Sequence, residues 1–173
     1  QVDPTDPNTF SYLTQNAAEG ENYGFEISTN YFVRDNLNLY ANFGFLKTKI
    51  KNWESRIDLE NRAQAHAPER TYSFGANLDL NNSLYAKIDF NGKSSFYYSD
   101  SHDNKSKSYQ LVNLTLGYAK ANFSTDLWIR NLFDEYYSTR GFFFGNEAPN
   151  FVDTLYRRQG DPKNIGISIR YDF

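Results

Sequence analysis

The chain has 173 residues, enough for one domain, with 39% apolar residues, 18% aromatic residues and a formal net charge of -3. No run approaches the ~18 consecutive apolar residues of a membrane-spanning helix, which excludes a helical membrane protein. The mean hydropathy of -0.72 leaves a hydrophilic soluble fold or a transmembrane barrel, in which only alternate strand residues meet lipid.

Cysteine is absent, which removes disulfides, thiolate metal sites and a cysteine nucleophile. The slightly acidic balance gives no support for nucleic-acid binding, which needs a basic patch. Methionine is also absent, even at position 1, so a processed chain or a segment of a longer precursor is expected.

In chain order, a short strand is expected near Thr9 to Gln15. From Tyr23 to Val33 the residues Tyr23, Phe25, Ile27, Tyr31 and Val33 take one side and Glu26, Ser28 and Asn30 the other, the period of two expected of a strand. A turn at Arg34-Asp-Asn36 leads into Leu37, Leu39, Ala41, Phe43 and Phe45, alternating with Asn38, Tyr40, Asn42 and Gly44. Extension to about Trp53 makes this strand longer than usual in a globular domain.

Residues 54 to 69 are charged and end on Ala67-Pro68, and they read as a long loop with a short helical turn somewhere in Arg56 to His66. Tyr72 to Leu80 and Leu84 to Asn91 then alternate again, joined by the tight turn Asn81-Asn-Ser83. Residues 99 to 107 form a second polar loop. Val112, Leu114, Leu116 and Tyr118 lead through a turn near Ala119-Lys-Ala121 to Phe123, Thr125, Leu127 and Ile129. A third loop over 145-161 precedes the terminal strand, where Ile165, Ile167, Ile169, Tyr171 and Phe173 oppose Asn164, Gly166, Ser168, Arg170 and Asp172.

Any half-buried strand of a soluble sandwich alternates in this way, so one strand decides little. The recurrence along the chain decides more: about eight strands, tight turns at one end and long polar loops at the other. That asymmetry is the pattern of an outer-membrane barrel, with short periplasmic turns and longer external loops. The expected fold is all-β, an antiparallel transmembrane β-barrel meander.

Trp128-Ile-Arg-Asn-Leu-Phe-Asp-Glu-Tyr-Tyr137, Arg140-Gly-Phe142 and Gly160-Asp-Pro-Lys-Asn-Ile-Gly-Ile-Ser-Ile-Arg-Tyr-Asp-Phe173 together resemble the carboxy-terminal end of TonB-dependent outer-membrane receptors. In that family an Asn-Leu-Phe-Asp segment with paired aromatics sits on the penultimate strand, and a Gly-x-Pro-Arg-like segment opens the last one. Lys163 stands here where Arg is commoner. Glu21-Asn-Tyr-Gly-Phe-Glu26 and Lys93-Ser-Ser-Phe-Tyr97 are similar to other strands of the same barrel.

The resemblance implies part of a 22-stranded barrel in the outer membrane of a Gram-negative bacterium. Such a receptor imports a scarce nutrient, above all a ferric siderophore or another iron complex, and works with a plug, with TonB and with the lipid around it. The plug is absent from residues 1-173, which the resemblance assigns to the carboxy-terminal part of the barrel. Ile165, Ile167, Ile169, Tyr171 and Phe173 resemble the signal read by the barrel-assembly machinery. A small standalone barrel of about eight strands, with a structural or adhesion role, is the alternative reading.

The search for chemistry yields little. His66 and His102 both fall in loops, and Ser101-His102-Asp103 holds the residue types of a hydrolase triad without the spatial convergence one needs. Asp100, Asp103 and Asn104 offer oxygen ligands but lack the spacing of a calcium loop. Glu26, Asp89, Asp126, Arg130 and Arg170 share the polar parity of their strands and are expected to face the lumen. No enzyme, catalytic residue, cofactor or metal site is expected. The ligand-binding candidates are Arg140, Phe142, Phe143, Phe144, Tyr156, Arg157 and Arg158, since aromatics give rigid contact area and Arg pairs with carboxylate or phosphate. An aromatic belt at the outer membrane interface accounts for the same aromatics.

Overall fold

The computed structural model describes residues 2–3, 6–10, 19–53 and 56–173. Its strands are β1 (Val2–Asp3), β2 (Asp6–Phe10), β3 (Glu19–Arg34), β4 (Leu37–Asn52), β5 (Arg70–Asp79), β6 (Leu84–Lys93), β7 (Tyr109–Lys120), β8 (Phe123–Arg130), β9 (Ser138–Phe144), β10 (Thr154–Gln159) and β11 (Asn164–Tyr171). Seven of them form one antiparallel sheet in the order β11-β8-β7-β6-β5-β4-β3. At 16 residues each, β3 and β4 reach ~54 Å, well beyond the ~30 Å of a bilayer's hydrocarbon core.

The two faces of the sheet follow the period-two pattern. One carries Phe25, Ile27, Phe43, Phe74, Leu116 and Leu127, all exposed, with Phe74 stacked on its register partner Phe90 at 4.7 Å. On the terminal strand Ile165, Ile167 and Ile169 are 64%, 67% and 70% exposed. A contiguous apolar face of this extent marks a surface built for a non-aqueous neighbour.

The opposite face repeats one device across the strands. Tyr40 lies over Gly75 of the next strand and donates its hydroxyl to Asp89 one strand further on. Tyr85 crosses Gly117 in the same way to reach Asp126 at 2.5 Å. Trp128 covers Gly166, and its indole N–H donates to Ser168 at 3.0 Å. A Cβ at Gly117 or Gly166 would collide with the ring above it, so the missing side chain is what lets each aromatic lie flat against the wall. Each hydrogen bond to a carboxylate is worth ~1.5–3 kcal/mol.

Buried apolar residues sit elsewhere. Ile50, Leu59, Phe96, Tyr98 and Val112 are the buried hydrophobic ones among the described residues, and all but Val112 lie in the connections or at a strand end beside them. The core is therefore under the loops at one end, while the broad face of the sheet is left bare.

Several expectations are corrected. The stretch 145-161 is not all loop: Thr154–Gln159 pairs with Ser138–Phe144 as a separate hairpin, and the unbroken Phe142-Phe143-Phe144 run hides the alternation there. β8 stops at Arg130 because Asn131 turns to a φ of 49°. Ser94 to Phe96 leave the strand that the resemblance extended through them, and Phe96 enters the loop core. Of the strand expected near Thr9 to Gln15, residues 11-15 lie outside the described residues, and Asp6–Phe10 pairs only with β1. The 3-10 turn Ile57–Leu59 fits the helical turn expected in Arg56 to His66. Among the described residues the main sheet does not close, since β3 and β11 remain its edges, which removes the ground for a self-contained eight-stranded barrel.

Candidate functional site

An antiparallel meander sends alternate connections to the same end, so 53–69, 94–108 and 131–163 meet there. The first two are locked by Arg62. Its side chain is only 11% exposed and pairs with Asp103 at 2.6 Å. It also donates to the carbonyls of Ser99 and His102 and lies 4.0 Å from the Tyr97 ring, which Lys105 also meets at 4.1 Å. The backbone N–H of Ala65 donates to Asp100 at 2.7 Å and that of His66 to the Tyr97 carbonyl at 2.9 Å. Nearby, the Arg56 guanidinium bonded to Asp58 holds that carboxyl below the usual range.

The third connection is closed by Asn131, a buried residue in left-handed conformation, which Asn tolerates better than most side chains. Its amide donates to the carbonyls of Glu135 at 2.9 Å and Asp161 at 3.0 Å, while its oxygen accepts from Glu135 N–H at 2.8 Å. Asp134 accepts from Lys163 N–H at 2.7 Å. Tyr137 lies over Gly160, bonds it through the backbone and packs on Tyr109 at 4.3 Å. Burial, ahead of the neighbouring Tyr109, pushes the Tyr137 phenol up. The two linked segments 131-137 and 160-164 thus form one clasp, which holds β11 against β8 across a long connection.

Beyond the clasp rises the β9–β10 hairpin. Register places Arg158 opposite Arg140, Tyr156 opposite Phe142 and Thr154 opposite Phe144, so five of the seven ligand candidates share one face. Phe142 and Tyr156 stack at 5.7 Å. The Tyr156 hydroxyl donates to Glu147 at 3.4 Å, and its phenol is pushed up by desolvation first and the Glu147 charge second. Phe143 and Arg157 fall on the reverse face, where Phe143 stacks on His102 at 3.6 Å and Tyr98 covers Gly141.

Ser101-His102-Asp103 does not converge. His102 turns Nδ1 to the Ser99 hydroxyl at 3.1 Å and Nε2 toward Asp153 at 3.7 Å, while Asp103 is held by Arg62. Asp100 and Asp103 serve different partners, and among the described residues no three His, Cys, Asp or Glu side chains gather as a metal site. His66 packs on Phe96 at 5.6 Å. Asp89 and Asp126 lie on the polar face, tied by the tyrosines above; Glu26 faces Gly44 there, while Arg130 and Arg170 share that parity on β8 and β11. Ile165, Ile167, Ile169, Tyr171 and Phe173 form the exposed apolar row of the terminal strand.

Reading residues in isolation gives no hint of Arg62 or Tyr97, since an arginine in a charged loop looks solvated. Asn131 and Asp134 do carry a signal, because Asn and Asp favour turns and left-handed positions.

A family model described as TonB dependent receptor-like, beta-barrel matches residues 1–132. Among solved structures, the ferric yersiniabactin uptake receptor FyuA from Yersinia pestis is similar at 18% identity with a TM-score of 0.77, covering 91% of this chain and 24% of its own. The siderophore receptor PiuA from Acinetobacter baumannii is similar at 18% identity and 0.76, over 99% of this chain and 23% of its own. The copper transporter OprC is similar at 16% identity and 0.69, over 90% and 24%. The chain spans about a quarter of the length of these proteins.

Proposed function

From a chain that belongs to the TonB-dependent receptor-like β-barrel family, a family of outer-membrane receptors and not of enzymes, we propose a section of barrel wall in a receptor that imports a scarce nutrient into a Gram-negative bacterium. The nutrient is a ferric siderophore or another iron complex, and import is driven through TonB. In this reading the remaining strands pair with the free edges of β3 and β11, and a plug domain outside residues 1-173 fills the lumen.

The family match over residues 1–132 carries the proposal. It is supported by a sheet with one bare apolar face and one hydrogen-bonded polar face, the division a lipid-facing wall around a wet lumen requires. The iron assignment leans on the names of two similar structures, a ferric yersiniabactin uptake receptor and a siderophore receptor. The copper transporter among the similar structures makes the metal the part to test.

Uptake of radiolabelled ferric complexes should fall several-fold in iron-limited cells when the intact gene is deleted, and equally when TonB is removed. Unchanged iron uptake combined with a deficit for copper, cobalamin, a sugar or a peptide would retain the receptor and reject iron. No deficit for any solute would reject import.

A further inference from the structure

We propose that Arg140 and Arg158 form an oxyanion-binding site on the exposed face of the β9–β10 hairpin. The two are direct register partners, which brings their Cβ atoms within ~5.5 Å on the same side. Like charges placed directly opposite each other destabilise a strand pair. Neither arginine is held in an ion pair: among the described residues these are Lys51–Glu21, Arg56–Asp58, Arg62–Asp103, His102–Asp153 and Arg170–Asp172. The hairpin's own acids point elsewhere, Glu147 to the Tyr156 hydroxyl and Asp153 to His102.

An oxyanion between the two guanidinium forks would turn the repulsion into charge-assisted, bidentate contacts. The Phe142–Tyr156 stack borders the pair and offers a flat apolar wall. The ligand class is therefore a carboxylate or phosphate carried on a group with a flat or apolar side. The site is also braced from behind, because Phe143 is stacked on His102 and Gly141 lies under Tyr98, so the charged face is presented and not folded away. Two sources supply this chemistry: a soluble anionic complex, or the phosphate of a surrounding lipid headgroup. The site rests on the hairpin's geometry and goes beyond the import reading.

The test is amide hydrogen exchange across 138–144 and 154–159 in the intact protein in dodecyl maltoside micelles, which carry no phosphate, with citrate or inorganic phosphate added at constant ionic strength. Either anion should slow exchange roughly tenfold at about ten times its Kd. Arg140→Gln and Arg158→Gln should each abolish that response, and each variant should exchange more slowly than the wild type when no anion is present. A second preparation in nanodiscs containing lipopolysaccharide separates the sources: protection there without added anion assigns the lipid phosphate, and protection only with citrate or phosphate assigns a soluble ligand. Exchange that ignores citrate, phosphate and lipopolysaccharide alike overturns the proposal, whatever iron uptake does.

Discussion

Asn131→Ala is expected to destabilise the intact protein by about 3–6 kcal/mol. The side chain is buried and serves Glu135 N–H, Glu135 C=O and Asp161 C=O at once. The three bonds are part-buried and contribute ~0.5–1.5 kcal/mol each, and alanine at a φ of 49° adds ~1–2 kcal/mol of left-handed strain. Asn131→Gly removes the bonds without that strain, so it should fall between wild type and alanine. Chemical denaturation in detergent reads the stability, and protease cleavage within 131–163 reads the clasp. If Asn131→Ala matches the wild type in both, the clasp is not what holds the terminal strand.

Arg62→Ala should unlock the other two loops while sparing the wall. Its loss leaves the Ser99 and His102 carbonyls without their donor and strips the Tyr97 ring of a cation, a local cost of ~1.5–3 kcal/mol. Since 1.4 kcal/mol is tenfold, the amides of Ala65 and His66, which bridge the loops, should exchange at least about tenfold faster. Amides in the middle of β5, β6 and β7 should not change. Arg62→Lys should rescue only part, because an ammonium lacks the planar fork that serves a carboxylate and two carbonyls together. Unchanged exchange at Ala65 and His66 would mean that the loop core of Leu59, Phe96 and Tyr98 suffices alone.

Much of the wall was legible because period two leaves a mark on every strand. Ile27 against Phe43, Ala76 against Ile88 and Leu127 against Ile167 each join residues that parity alone puts on the apolar side. The turns at Arg34-Asp-Asn36 and Asn81-Asn-Ser83 were visible from their polar residues, and the turn expected at 119-121 lies one residue further on, since β7 runs to Lys120.

What stayed hidden depends on contacts between distant segments. The β9–β10 hairpin pairs Phe144 with Thr154 across a nine-residue gap, and neither strand alone shows a clean alternation. Arg62 finds Asp103 41 residues away, a pairing no local pattern encodes. The glycines at 75, 117 and 166 read as weak points of a strand until the rings of Tyr40, Tyr85 and Trp128 are seen above them. Of the seven ligand candidates, parity could have separated Phe143 and Arg157 from the other five once the hairpin was known, but not before.

The claim that one face of this sheet is a membrane surface is tested most directly by single-cysteine spin labels in the intact protein in bilayers. Labels at 116 and 167 probe the apolar face, and labels at 115 and 168 probe the polar one. Collision rates with lipid-soluble oxygen should be high and with an aqueous nickel chelate low at 116 and 167, with the ratio reversed at 115 and 168. Equal ratios at 116 and 115, and at 167 and 168, would contradict a barrel wall.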